Sequence, residues 1–264
     1  MIILHDHKKT ALKAAIFDFD GTISTLRYGW ESVMAPLMTE YIAGENAAVL
    51  PEVRRLVADY IDESTGIQTI HQMKWLNEAV KKYNNVPGAP DDPWFYKEEY
   101  NRRLMLEVAN RRDDVLSGKV AREQYIIGGA SAFLAALKKQ GVLLFAASGT
   151  DEADVVKESA ALGFAEYFES IQGAKPMAED CSKEAVIRSL IENSGFAGSE
   201  LLVVGDGKVE IMLGREAGAL TLGIASDEER RTGLNPVKEK RLSAAGAHAI
   251  VGDFTDLSGI LNWI

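Results

Sequence analysis

One cysteine, Cys181, is all that this chain of 264 residues contains, so no disulfide can close within it and a reducing compartment is expected. Positive charge is short as well. Lysine and arginine number 29 against 39 aspartates and glutamates, a net charge of -10. That balance argues against a nucleic-acid surface or an anionic membrane as partner. No uninterrupted apolar stretch reaches the length of a membrane span. The first residues, MIILHDHKKTALK, lack the apolar core of a secretory signal, and cytoplasm is the expected location. Internal repeats and low-complexity tracts are missing too. What is present is ordinary for a globular protein: 47% hydrophobic and 26% charged residues, and a length that suits two domains.

Against that background residues 16–24, I-F-D-F-D-G-T-I-S, stand out. The apolar run Ala14, Ala15, Ile16, Phe17 suits a buried parallel strand. It ends in Asp18 and Asp20, although buried unpaired carboxylates are costly. Gly21 permits a sharp turn, and Thr22 can cap the segment after it. Ligands of open α/β sheets bind outside the carboxyl ends of the strands, where this pair sits. Its spacing suits holding one Mg²⁺ and attacking a phosphorus atom.

Further strands are predicted at residues 142–147, 201–204, 220–225 and 249–251, with helices between them. The alternation over 125–264 implies a parallel sheet wrapped by helices. Residues 27–124 differ, with helical runs at 31–43, 51–62, 67–83 and 96–110 and no alternating strand pattern. The expected architecture is a Rossmann-like parallel sheet (1–26 and 125–264) with an inserted all-helical domain (27–124).

Other strand ends add polar groups. Residues 142–147 run into Ser148, Gly149 and Thr150; residues 201–204 run into Gly205, Asp206 and Gly207, with Glu210 four residues beyond Asp206. Lys183 opens the helix that leads into the latter strand. Carboxylates suit Mg²⁺, a hard ion. One carboxylate can serve as nucleophile and a second as acid and base. A lysine, a hydroxyl and backbone N–H groups can hold phosphate oxygens.

With D-F-D-G-T at 18–22, Ser148 in A-A-S-G-T, Lys183, and G-D-G at 205–207, the chain resembles the haloacid dehalogenase (HAD) superfamily over nearly its whole length. The helical insert resembles that superfamily's type 1 cap. The resemblance implies Asp18 as nucleophile and Mg²⁺ ligand, and Asp20 as general acid and base with its backbone carbonyl on the metal. It implies Ser148, Gly149 and Lys183 as phosphate binders, and Asp206 as the completing metal ligand. Glu210 stands where many relatives carry an aspartate and can act through a water. Lys175, in G-A-K-P, is the rival to Lys183; Lys183 is favoured because it heads the helix leading directly into the strand before Asp206. An aspartate at position 20 points to C–O–P esters, because an alkoxide leaving group needs an acid.

The expected function is Mg²⁺-dependent hydrolysis of a small phosphorylated metabolite, a sugar or polyol phosphate, by a monomer or homodimer. A mutase resembling β-phosphoglucomutase would use the same residues, and a non-catalytic phospho-metabolite sensor is the reading from another class. Arg27, Tyr28, Trp30, Gln68 and Gln72 are candidate substrate contacts at the start of the insert and on its helix from about residue 67, whose N-terminus could receive an anion. His5 and His7 in H-D-H are expected in a disordered arm. The basic cluster Arg230, Arg231, Lys238, Lys240 and Arg241 is expected to be a solvated surface.

Overall fold

A computed structural model describes residues 1–65, 67–175, 183–196 and 198–264, without the side chains of Lys183 and Ser194. Gly66 and Cys181 lie outside the described residues. The chain divides into two compact units, Met1–Tyr28 with Arg112–Ile264, and Gly29–Arg111. The second is narrower than the 27–124 span read from the sequence.

In the first unit the strands are β1 (Ile2–Ile3), β2 (Ala14–Phe17), β3 (Leu143–Asp151), β4 (Ser170–Ala174), β5 (Leu201–Gly205), β6 (Leu220–Ile224) and β7 (Ala249–Val251). They form one sheet in the order β1-β7-β6-β5-β2-β3-β4. All neighbours pair in parallel except β1 with β7. The helices α5 (Ala130–Lys139), α6 (Glu152–Ala161), α7 (Lys183–Ser194), α8 (Lys208–Glu216), α9 (Pro236–Ala244) and α10 (Leu257–Trp263) complete this unit. The expected α/β class is the one observed.

Alternation along β2 explains its two-sided burial, since successive side chains of a strand point to opposite faces. Ala15 and Phe17 join one apolar cluster with Phe133, Leu134 and Leu137 of α5. Ala14 and Ile16 join another with Val186, Ile187 and Leu190 of α7. Register then fixes the site. Phe17 lies opposite Ala146 of β3 and Val204 of β5, so the residues just past it leave the sheet together with those just past its neighbours.

Two strands had no sequence signal. β4, S-I-Q-G-A, has no apolar run. β1 is two residues long, and it corrects the expectation of a disordered arm. Leu4 and His5 each donate a backbone N–H to the His248 carbonyl, and His7 sits edge-on to Trp263 at 5.0 Å. The open edge of β7 supplies the order that so short a segment lacks by itself.

The second unit contains α1 (Glu31–Ala43), α2 (Leu50–Ser64), α3 (Thr69–Tyr83) and most of α4 (Pro93–Leu116). Tyr96, Tyr100, Leu104 and Val108 repeat every four residues along α4 and face a core with Met38, Val57, Leu76 and Val80. This unit therefore has an apolar core of its own.

Candidate active site

β2 ends by handing Asp18 to the edge of the sheet. Its backbone N–H still donates to the Val204 carbonyl at 2.8 Å, and its side chain is buried. Thr22 Oγ1 lies 3.5 Å from Asp18 Oδ2. Between them Gly21 adopts φ 74°, a left-handed conformation that favours glycine. A β-carbon there would also stand 2.4 Å from Asp206 Oδ2, so the position needs glycine on two grounds.

Asp206 follows β5, and Glu210 lies one turn into α8. Glu210 Oε1 accepts the Gly207 N–H at 2.6 Å, which closes the start of α8 and fixes the carboxylate. Gly205 makes room for it, since a β-carbon there would meet Glu210 Cγ at 2.2 Å. Asp18, Asp206 and Glu210 each offer a carboxylate oxygen within 4.8 Å of the others. Among the described residues this is the only group of three or more candidate ligands so placed. Three carboxylates this close repel one another unless a cation joins them. An all-oxygen donor set fits a hard divalent ion such as Mg²⁺.

Asp20 is held separately. Its Oδ2 accepts from Thr150 Oγ1 at 2.8 Å and from Ser148 Oγ at 3.2 Å. Ser148 Oγ also accepts the Thr150 N–H at 3.0 Å. These residues lie in the last part of β3, where pairing with β4 shifts register between Ala147 and Asp151. That irregularity, with Gly149 in its middle, turns both hydroxyls to one carboxylate. Asp20 Oδ1 takes no hydrogen bond from any described residue and faces Arg27 Nε at 3.9 Å.

Arg27 is tied into the sheet unit. It donates to both oxygens of Glu158, at 2.6 and 3.1 Å, and lies 3.8 Å from Asp154. Burial opposes its charge, but Glu158 and Asp20 hold its pKa above the ordinary value. Complete burial pushes the Glu158 carboxyl up to about 7, against the pull of Arg27.

The other sequence candidates fall in several places. Tyr28 is exposed in the sheet unit. Trp30, Gln68 and Gln72 belong to the helical unit. There Trp30 packs on the apolar core, Gln68 is buried, and Gln72 donates to Ser64 Oγ at 3.1 Å. The backbone of Lys183 opens α7, and its side chain is outside the described part. Lys175 is exposed just after β4.

Lys238 was missed. Two of the five residues expected on a solvated basic surface instead hold Asp206. Lys238 Nζ donates to Asp206 Oδ2 at 2.7 Å, and Arg241 Nη2 donates to the Asp206 carbonyl at 3.2 Å. The reason is that α9 packs beside β6, β7 and α8, from where Lys238 and Arg241 reach Asp206 just past the end of β5. Asp206 and Glu228 keep the Lys238 pKa above its ordinary value although burial works against it. Thr150 was missed as a partner of Asp20, although A-A-S-G-T carries it in plain view.

The haloacid dehalogenase-like hydrolase family matches residues 12–218, well over half of the chain. The chain belongs to that family. As a HAD-like hydrolase it is 24% identical to a phosphoglycolate phosphatase of Rhodospirillum rubrum, over 95% of this chain and 91% of that one. Its fold is similar to a β-phosphoglucomutase of Clostridium difficile, with TM-score 0.65, 15% identity, and coverage of 95% of this chain and 96% of that one. It is also similar to a Bacillus subtilis protein described as a HAD-hydrolase, YfnB, bound to magnesium, with TM-score 0.58, 16% identity, and coverage of 96% and 100%. Among the described residues no helix is long and apolar enough to cross a membrane.

Proposed function

We propose that this HAD-like hydrolase is a Mg²⁺-dependent phosphatase of small phosphate monoesters and works through an aspartyl-phosphate on Asp18. The observation that carries the reading is the separation of two carboxylate environments at one sheet edge. Asp18 lies in the carboxylate cluster, while Asp20, two residues on, is held outside that cluster by the hydroxyls of Ser148 and Thr150. Such a division of environments lets two carboxylates take different roles.

Asp18, Asp206 and Glu210 would hold the metal. Bound there, it would neutralise the charge that develops on the phosphoryl oxygens. A carboxylate oxygen of Asp18 attacks phosphorus, and the bond from phosphorus to the ester oxygen breaks. Asp20 gives its proton to the departing alkoxide. The Ser148 and Thr150 hydroxyls hold its Oδ2 in place, while Oδ1 is buried against Arg27. Arg27, 3.9 Å from Oδ1, then steadies the carboxylate that remains. In the second half Asp20 takes a proton from water as that water attacks phosphorus. The acyl phosphate bond breaks, inorganic phosphate leaves, and Asp18 is restored.

Lys183 is proposed for the phosphate oxygens, with the Gly149 backbone. The helical unit is proposed as a cap that excludes bulk water, with Trp30, Gln68 and Gln72 as its substrate-side candidates; Tyr28 is a candidate from the sheet unit, and Arg27 is kept for Asp20. A sugar or polyol phosphate remains the proposed substrate class. The name of the Rhodospirillum rubrum relative agrees with a small anionic phosphate ester. A mutase is the second reading, favoured by the fold likeness to a β-phosphoglucomutase. A cytoplasmic location is proposed from the single cysteine.

The test is phosphate release from sugar, polyol, carboxylic-acid and nucleotide phosphates, with Mg²⁺ or EDTA. Mg²⁺-dependent release from one class supports the phosphatase. Isomerisation of a sugar phosphate with little release would move the reading to the mutase.

A further inference from the structure

α9 begins where its sequence says it should. Asn235 accepts the N–H groups of Val237 and Lys238 at 2.9 and 3.2 Å, and Pro236 fills the first helical position. This start aims Lys238 inward, where it is buried. Its ammonium has three protons to donate, and three oxygens take them: Asp206 Oδ2 at 2.7 Å, Glu228 Oε1 at 2.6 Å and Ser226 Oγ at 3.1 Å. Ser226 in turn donates its hydroxyl proton to the Gly21 carbonyl at 2.5 Å. The loop from β6 and the start of α9 therefore brace both the turn after Asp18 and the side chain of Asp206. With its three protons engaged, Lys238 is poorly suited to hold a substrate phosphate.

We infer that Lys238 is a positioning residue that makes the cation site select Mg²⁺ over Ca²⁺ by occupying one oxygen of Asp206. With an ammonium donating to Oδ2, chelation of a cation by both oxygens of Asp206 is disfavoured. Mg²⁺ demands near-octahedral geometry with one oxygen per ligand, whereas Ca²⁺ accepts bidentate carboxylates and six to eight oxygens. A carboxylate restricted to one oxygen thus suits the smaller ion. The inference rests on the reading of Asp206 as a metal ligand.

The experiment is calorimetric titration of the whole protein with Mg²⁺ and with Ca²⁺, for wild type, Lys238→Met, Lys238→Arg and Asp206→Asn. Loss of the lysine charge raises affinity for any divalent ion, so the ratio of the two dissociation constants is the informative quantity. Lys238→Met is expected to shift that ratio about ten-fold toward Ca²⁺. Lys238→Arg, which keeps a cationic donor, is expected to hold the wild-type ratio, and Asp206→Asn to weaken both ions. An unchanged ratio in a folded Lys238→Met protein would overturn the selectivity role and leave the metal site standing. Failure of wild type to bind either ion would overturn the metal site itself, and the inference with it. Should Lys238→Met lose its cooperative melt, Glu228→Gln loosens the same anchor. It is expected to move the ratio in the same direction by about three-fold, and no movement overturns the inference.

Discussion

Gly21 concentrates what this site asks of single residues. Its φ of 74° and the 2.4 Å approach of Asp206 Oδ2 to a built β-carbon leave no room for a side chain. Gly21→Ala would strain the backbone by about 1–2 kcal/mol and push Asp206 out of the carboxylate cluster. We expect activity to fall about a hundred-fold, as displacement of a reacting group by about 1 Å can do. Steady-state kinetics beside a urea melt would check both parts. Wild-type turnover from Gly21→Ala would show that Asp206 need not sit where it does. The aspartates and this glycine were legible in sequence because their pattern is local. Thr150 stands in the A-A-S-G-T motif and Lys238 in the basic cluster, but their contacts with Asp20 and Asp206 were not legible. A hydroxyl's choice between solvent and Asp20 depends on a register shift in β3, and a lysine's choice depends on how α9 lies against β6, β7 and α8.

At the scale of elements, apolar runs bounded by glycine and polar residues mark β2, β3, β5, β6 and β7. β1 and β4 owe their order to neighbours rather than to their own composition. The tie between β1 and β7 has a pH signature. His248 Nδ1 accepts the Thr221 N–H at 3.1 Å, and its Nε2 meets Arg215 Nη1. His5 and His7 face the same ring at 6.2 and 6.3 Å. Burial, then Arg215, then these histidines, hold its pKa down at about 4, against 6.5 ordinarily. An unfolded chain therefore binds a proton here that the folded chain refuses between those two values. The stability from the neutral ring is present in full above pH 6.5 and is lost as pH falls toward 4. Because the ring is only half-buried, solvent screening reduces the effect to about 1 kcal/mol. Chemical melts at several pH values, compared with His248→Asn, would check it. We expect wild type to lose more stability than the variant between neutral pH and pH 4, and parallel curves would contradict the assignment.

The whole molecule joins a sheet unit that holds every described member of the acidic cluster to a helical unit with its own core. The order was legible because helical periodicity interrupts a β/α alternation immediately after the first long strand. Boundaries were less so, since α4 runs through Arg111, where the compact unit ends. The substrate class is the least legible feature. The proposed contacts Gln68 and Gln72 are buried polar side chains of the helical unit, and neither burial nor sequence spacing names a ligand. The proposal that Asp18 becomes phosphorylated is open to direct test. An activated aryl phosphate needs no acid to leave, whereas release of the phosphoryl group needs Asp20 to activate water. Asp20→Asn should therefore accumulate the intermediate. After acid quench and digestion, mass spectrometry is expected to find a phosphoryl-sized mass gain on the peptide carrying Asp18, dependent on Mg²⁺ and lost in Asp18→Asn. Turnover of the aryl phosphate by wild type, with no such gain on that peptide in Asp20→Asn, would contradict the phosphoenzyme.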